Sequence, residues 1–209
     1  MLGTQMIAKG LDYPNVTLVG VISGDTSLSL PDFRAAERTF QLITQVAGRA
    51  GRGDNPGRVV LQTFMPQDPT ILAALRQDFV GFAQSELQSR REVGLPPFAR
   101  MVRIVMRDQD QEELHKKCEE LGVKVMEAVS EISPESSVLS PEDGVRTAIL
   151  VKGPMPCAIN RIAGYYRNQI VMQSPRAELL QKVLAILREG GHLATSDRIA
   201  VDVDPVSLL

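Results

Sequence analysis

The sequence has no tryptophan, two histidines and two cysteines in 209 residues. Cys118 and Cys157 stand far apart, no C-x-x-C is present, and His115 and His192 are equally scattered. Structural zinc needs closely spaced thiolate or imidazole ligands, so no metal site is expected within this chain. Two unpaired thiols fit a reducing cytoplasm better than a disulfide framework. No apolar run reaches the roughly 18 residues of a membrane span, so no transmembrane helix is expected. The first residues lack the charged-then-apolar pattern of a secretory signal. Internal repeats and low-complexity tracts are also missing. The net charge of −2 names no partner by itself.

What is there is an ordinary folded composition, 44% apolar and 23% charged, long enough for one or two domains. The chain opens on a dense motif with almost no lead-in, which predicts a piece of a longer protein. Charge is segmented. Residues 1–107 carry 12 basic and 9 acidic groups, and residues 108–143 carry 3 and 11. Residues 144–177 carry 5 basic groups (Arg146, Lys152, Arg161, Arg167 and Arg176) and no acidic one.

The run "VTLVGVI" (16–22) is continuous and β-branched, and predicts a buried parallel strand. Apolar residues at 33, 36, 40, 43 and 47 predict a helix started by Pro31-Asp32 and stopped at Gly48. "RVVLQTF" (58–64) is a second strand, completing a βαβ unit. Asp68-Pro69 opens a further helix, Asp as N-cap and Pro in the first turn, with a break near Asp78 and an end at "GLPPF" (94–98). After it come a strand (99–107), a long helix bearing Leu114, Cys118, Leu121, Val125 and Ala128, and a short strand at 147–152. A hairpin turning at Ala163-Gly164 follows, then a helix from Ser174-Pro175 to about Arg188, and a last strand at 198–205. These elements predict an α/β fold class: a parallel-sheet region (1–77), a helical connector (78–98) and an α+β, ferredoxin-like βαββαβ domain (99–209).

The string "QLITQVAGRAGRGDNPG" (41–57) carries the most chemistry. Arg38, Gln45, Arg49 and Arg52 share one face if helical geometry persists. Gly48, Gly51 and Gly53 leave room for a bulky anion to approach the backbone. A guanidinium fork matches phosphate oxygens. A solvated helix end, where arginine favours the negative pole, is the plainer account of two arginines. The full Q-x-x-G-R-x-G-R string is more specific than that account requires.

"QVAGRAGR" resembles motif VI of superfamily 2 helicases, and "GTQMIAKGLDYPNVTLV" (3–19) is similar to their motif V. "DFRAAERTFQLITQVAGRAGR", "RREVGLPPF", "GPMPCAINRIAGYYR" and the final "VDVDP" are closer still to the PriA family of replication-restart helicases. The resemblance covers nearly the whole chain. It implies the C-terminal part of an ATP-dependent 3′-to-5′ DNA helicase that recognises stalled or branched forks and assembles a primosome, with residues 1–77 a partial RecA-like lobe and residues 99–209 a C-terminal DNA-binding domain. Arg52 then matches the arginine finger at the ATP γ-phosphate, with Arg49 beside it and Gln45 at the same cleft. Thr4 matches a hydroxyl that touches a nucleic-acid phosphate. Lys9 and Gly10 match positions at the nucleotide or backbone interface, and Asp12 matches an aspartate that bonds ribose. Asp25 falls where the family has an acidic residue near the nucleotide, and capping the next turn accounts for it equally well.

No G-x-x-x-x-G-K-[ST] loop and no acidic D-E-x-H box appear. The resemblance therefore implies ATP and Mg²⁺ only in the full-length protein, zinc likewise only there, and a fragment inactive alone. Implied partners are forked and single-stranded DNA, single-stranded DNA-binding protein and other primosome proteins. "INRIAGYYRNQ" (159–169) places Arg161, Tyr165, Tyr166 and Arg167 around the hairpin tip, where cations beside aromatics suit phosphate contact and base stacking. One buried tyrosine and two solvated arginines would account for the same letters. Asp202 and Asp204 read as a strand end and turn, and Cys118 as core. Two rival readings are a non-catalytic nucleic-acid-binding module and another superfamily 2 DNA translocase.

Overall fold

The computed structural model describes residues 16–50, 56–132, 149–193 and 196–208. The chain forms two units, Met1–Ser89 and Arg90–Leu209.

In the first unit, β1 (Leu18–Val21) and β2 (Arg58–Leu61) pair in parallel, Val19 opposite Val59 and Val21 opposite Leu61. α1 (Ala35–Ala47) connects them, giving the expected βαβ order. The expectation of a buried β1 is corrected: Leu18 is 62% and Ile22 74% exposed. Exposed and half-buried positions alternate along both strands, so only the face bearing Val19, Val21, Val59 and Leu61 is sheltered among the described residues. α1 buries Thr39, Phe40 and Ile43. Its start is set by Asp32, whose Oδ1 accepts the Arg34 amide at 2.8 Å while Oδ2 pairs with Arg38 at 3.1 Å.

α2 (Pro69–Leu75) begins as its sequence demands. Asp68 Oδ1 accepts the Thr70 and Ile71 amides at 2.8 and 3.4 Å, and Pro69 takes a position needing no donor. The break at Asp78 is a second cap, its carboxylate accepting the Gly81 amide at 2.8 Å to start α3 (Phe79–Val93). Phe82 stacks on Phe40 with centroids 4.4 Å apart, closing a small core with Ile43, Ile71 and Ala74. Gly94, at φ 67°, ends α3 ahead of the prolines.

The second unit follows the order β3 (Arg100–Asp108), α4 (Gln111–Ile132), β4 (Leu150–Ile162), β5 (Tyr165–Ser174), α5 (Ala177–Glu189) and β6 (Ile199–Val203). Its sheet runs β4-β5-β3-β6, with every neighbouring pair antiparallel. Strand residues of one parity (Val102, Ile104, Ile170 and Met172) meet the apolar stripes of both helices in one core. All five stripe residues expected on α4 are buried there, Cys118 among them. On the opposite sheet face Arg103 is buried, its Nε donating to Gln169 Oε1 at 2.7 Å and its Nη1 to the Ser207 carbonyl at 3.4 Å. The C-terminal segment thus covers part of that face.

The short strand expected at 147–152 and the first arm of the expected hairpin belong to one strand, β4. The register shift between Lys152 and Met155 absorbs an extra residue as a bulge and carries the strand past Gly153-Pro154. Glycine is required there: φ is +103°, and a Cβ would lie 2.6 Å from the Gln169 carbonyl. Pro154 and Pro156 are tolerated because β4 pairs on one side only among the described residues. The hairpin turns where expected, with positive φ at both Ala163 (50°) and Gly164 (85°), the signature of a type I′ turn.

Candidate nucleic-acid interface and arginine motif

At the hairpin tip consecutive residues alternate faces, so the four expected residues do not form one patch. Arg161 is opposite Tyr166 in the register, and its guanidinium lies 4.9 Å from that ring's centroid. Tyr166 packs against the helix-side core. Tyr165 and Arg167 fall on the opposite face, together with Arg107, which stands directly across from Arg167. The Arg107 guanidinium lies 5.2 Å from the Tyr165 centroid. The result is two arginine–tyrosine pairs, one on each side of the sheet. Arg167 Nη1 also donates to the Ile159 carbonyl at 3.3 Å, bracing the bulged strand.

Beneath the tip sits Asp108, 8% exposed at the end of β3. Its Oδ2 receives Lys117 Nζ at 3.0 Å and Arg198 Nη1 at 3.1 Å, while Oδ1 accepts the Asp110 amide at 3.3 Å. The lysine bond, then the backbone amide, holds this carboxyl below its usual range, and the same bond raises the Lys117 pKa. One carboxylate therefore ties α4 and the approach to β6 onto β3. Arg107 donates to the Asp197 carbonyl at 2.5 Å on the same approach. Sequence reasoning missed Arg107, Asp108, Lys117 and Arg198. For Arg107 a signal existed, because strand alternation puts it on the face of Arg103 and away from the apolar set.

In the first unit, α1 ends at Ala47, and 48–50 continue only as a turn, with the Arg49 amide bonded to the Val46 carbonyl at 3.0 Å. Arg38, expected on the face of Gln45 and Arg49, is engaged by Asp32 instead. Gln45 is exposed and Arg49 half-buried. Both are pure or partial donors near one helix end, a set whose chemistry fits an anionic phosphate. Asp25 is buried: its Oδ2 accepts the Phe64 amide at 2.7 Å and Thr63 Oγ1 at 3.1 Å, joining the segments after β1 and β2. The Phe64 amide, partly offset by burial, lowers its pKa. Thr4, Lys9, Gly10, Asp12 and Arg52 lie outside the described residues. Asp204 receives Arg100 at 3.1 Å and the Met101 amide at 3.3 Å, which is a strand-end role.

A family model described as the primosomal protein N C-terminal domain matches residues 91–206, the whole of the second unit's sheet. The chain belongs to that family. Along nearly its entire length it is also similar to proteins named replication restart protein PriA. It is 36% identical to the one from Chlamydia trachomatis over 207 residues, and 38% identical to the one from Bacillus subtilis over 216. With the Haemophilus influenzae protein it shares 36% over 211 residues. These matches take in 99–100% of this chain and 24–26% of each relative. The chain thus spans about a quarter of the length of the curated relatives it matches.

Proposed function

We propose that this chain is the C-terminal part of a PriA-type replication-restart protein. In that reading the full-length protein is an ATP-dependent 3′-to-5′ DNA helicase acting at stalled or branched forks in the cytoplasm. The observation that carries it is similarity to proteins of that name over 99–100% of this chain, the arginine motif and the last strand included. The parallel βαβ start suits the edge of a RecA-like lobe. The order β4-β5-β3-β6 with paired helices on one face suits a ferredoxin-like domain. Arg52, with Arg49 and Gln45, would meet the terminal phosphate of ATP across a cleft completed by another lobe, with Mg²⁺. Lys9, Gly10, Asp12 and Asp25 belong to that side, and Thr4 to a DNA phosphate. The hairpin residues Arg161 and Tyr166 on one sheet face, and Tyr165 and Arg167 on the other, are the candidates for the DNA surface of the second unit. Partners would be forked and single-stranded DNA, single-stranded DNA-binding protein and primosome proteins.

The test is DNA-stimulated ATP hydrolysis by the full-length protein carrying Arg52→Ala or Arg49→Ala. An arginine finger contributes on the order of a thousandfold or more. A loss of that size with DNA binding retained is expected. Unchanged turnover in both variants would favour the non-catalytic binding module.

A further inference from the structure

The two arginine–tyrosine pairs are alike in composition and unlike in surroundings. Tyr166 is half-buried, with the Arg161 guanidinium 4.9 Å from its ring centroid and the helix-side core packed against it, so the ring is engaged from within the protein. The groove it borders is lined by Asp110, Glu112, His115, Lys116 and Glu119. Three carboxylates against one lysine leave that groove with a net negative lining.

The opposite face differs. Arg107 and Arg167 stand side by side across β3 and β5, and Lys152 shares their parity opposite Val171. Two carboxylates also belong to this side. Asp197 is 3.9 Å from Arg107, and Asp202 stands opposite Arg103. Both lie toward the β6 edge, whereas the hairpin tip is on the β4–β5 edge. Ile162, the residue before the turn, is opposite Tyr165 and 46% exposed. An exposed branched side chain next to an aromatic ring and a planar guanidinium offers apolar and stacking area. Only an unpaired base presents its face to such a surface, since a duplex offers phosphates and groove edges.

We infer that the hairpin tip takes single-stranded nucleic acid on the face opposite α4 and α5 alone. On that face Ile162, Tyr165 and the Arg107 guanidinium form the stacking surface, and Arg107 and Arg167 meet phosphates. Arg161 is a positioning residue that holds Tyr166 and does not touch the strand. This rests on the DNA-binding reading above, divides its hairpin residues by face, and adds Arg107 and Ile162.

The experiment is fluorescence anisotropy of the 209-residue chain with a labelled oligothymidylate and with a blunt duplex, each variant checked by thermal melting. Tyr165→Leu is expected to weaken single-strand binding about five- to a hundredfold, the range for losing one stacked base. Tyr165→Phe should retain it, which separates stacking from a general loss of fold. Arg107→Gln and Ile162→Ser should weaken single-strand binding and leave the duplex less affected. Arg161→Gln should change it less than about twofold, since it makes no contact there. Equal damage from Arg161→Gln and Arg107→Gln would overturn the assignment of face. Parallel losses on duplex and single strand would overturn the assignment of ligand. A wild-type chain that binds neither would remove the DNA-binding reading itself, whereas binding indifferent to all these variants would remove only the inference.

Discussion

Arg107 and Arg167 occupy paired positions on neighbouring antiparallel strands, two cations directly across the sheet from each other. Like charges in that register repel, by about 0.2–1 kcal/mol for a cross-strand pair. A double-mutant cycle of Arg107→Ala and Arg167→Ala, followed by thermal unfolding, should give an unfavourable coupling of that order at low salt. Raising the ionic strength should erase it, because both side chains reach solvent. A fold that keeps such a pair without need would be expected to have lost it, so the sign of the coupling bears on the binding surface as well.

Asp108→Asn should lower the melting temperature by several degrees at neutral pH, since Lys117 and Arg198 lose their shared counter-charge. The folded-state pKa of Asp108 is depressed below the usual 3.8. Its contribution is therefore complete above that unfolded value and fades as pH falls through the lower folded one. The Lys117 pKa is raised, so its share is complete below the ordinary 10.5 and fades as pH climbs through the higher folded value. Melting curves should show wild type and variant converging at acid pH, while at alkaline pH the gap should narrow only by the lysine's share, because Arg198 stays charged beside Asp108.

Asp25→Ala should leave the Phe64 amide without its acceptor, now 2.7 Å away. Hydrogen exchange at that amide is expected to accelerate well over tenfold, while the Met172 amide in the other core stays protected. Slow exchange at Phe64 in the variant would show that another group can take over the bond.

Ala163→Asn should stabilise the chain by about 1 kcal/mol. Alanine at φ 50° bears the left-handed penalty of roughly 1–2 kcal/mol that asparagine largely escapes, and Asn-Gly is the preferred type I′ pair. Chemical denaturation with an unchanged slope would check it.

Asp68→Ala should cost about 1 kcal/mol, the usual worth of an N-cap whose oxygen accepts two amides. Asp68→Asn should recover most of the loss, and equal melting of the alanine variant and wild type would remove the cap from the account.

Where a residue's role is local, the sequence was readable. Asp68-Pro69, the break at Asp78, the stop at Gly94 and the Ala163-Gly164 turn all act within a few residues of themselves. The five-residue stripe of α4 is likewise a statement about one helix. What the letters hid was the third dimension of the tip. Tyr165 and Tyr166 are adjacent in sequence, and only pairing with β3 and β4 sends them to opposite faces with different arginines. Asp108 was invisible for the same reason, since its cations come from positions 117 and 198. The bulge at Gly153 joins the strand expected at 147–152 to the hairpin arm after it, because the extra residue is looped out of the pairing. For the arginine motif, the stop at Gly48 was legible and α1 does end at Ala47, but the engagement of Arg38 by Asp32 lies beyond any reading of spacing.

The position of β3 at the centre of its sheet has a consequence for synthesis. Its two neighbours are the fifth and sixth strands, and its register with the last one is closed by the Asp204 amide on the Met101 carbonyl at 2.7 Å. A ribosome delivers β3 roughly a hundred residues before that partner. Until β5 is made, Val102, Ile104 and Met106 stand in a strand with both flanks of backbone unclaimed, and until β6 is made one flank remains so. Such distant pairings fold slowly and expose strand edges meanwhile. The second unit is thus a sheet that must wait for its own tail, and the stretch of translation between residues 108 and 199 is when it is most open to capture by a chaperone.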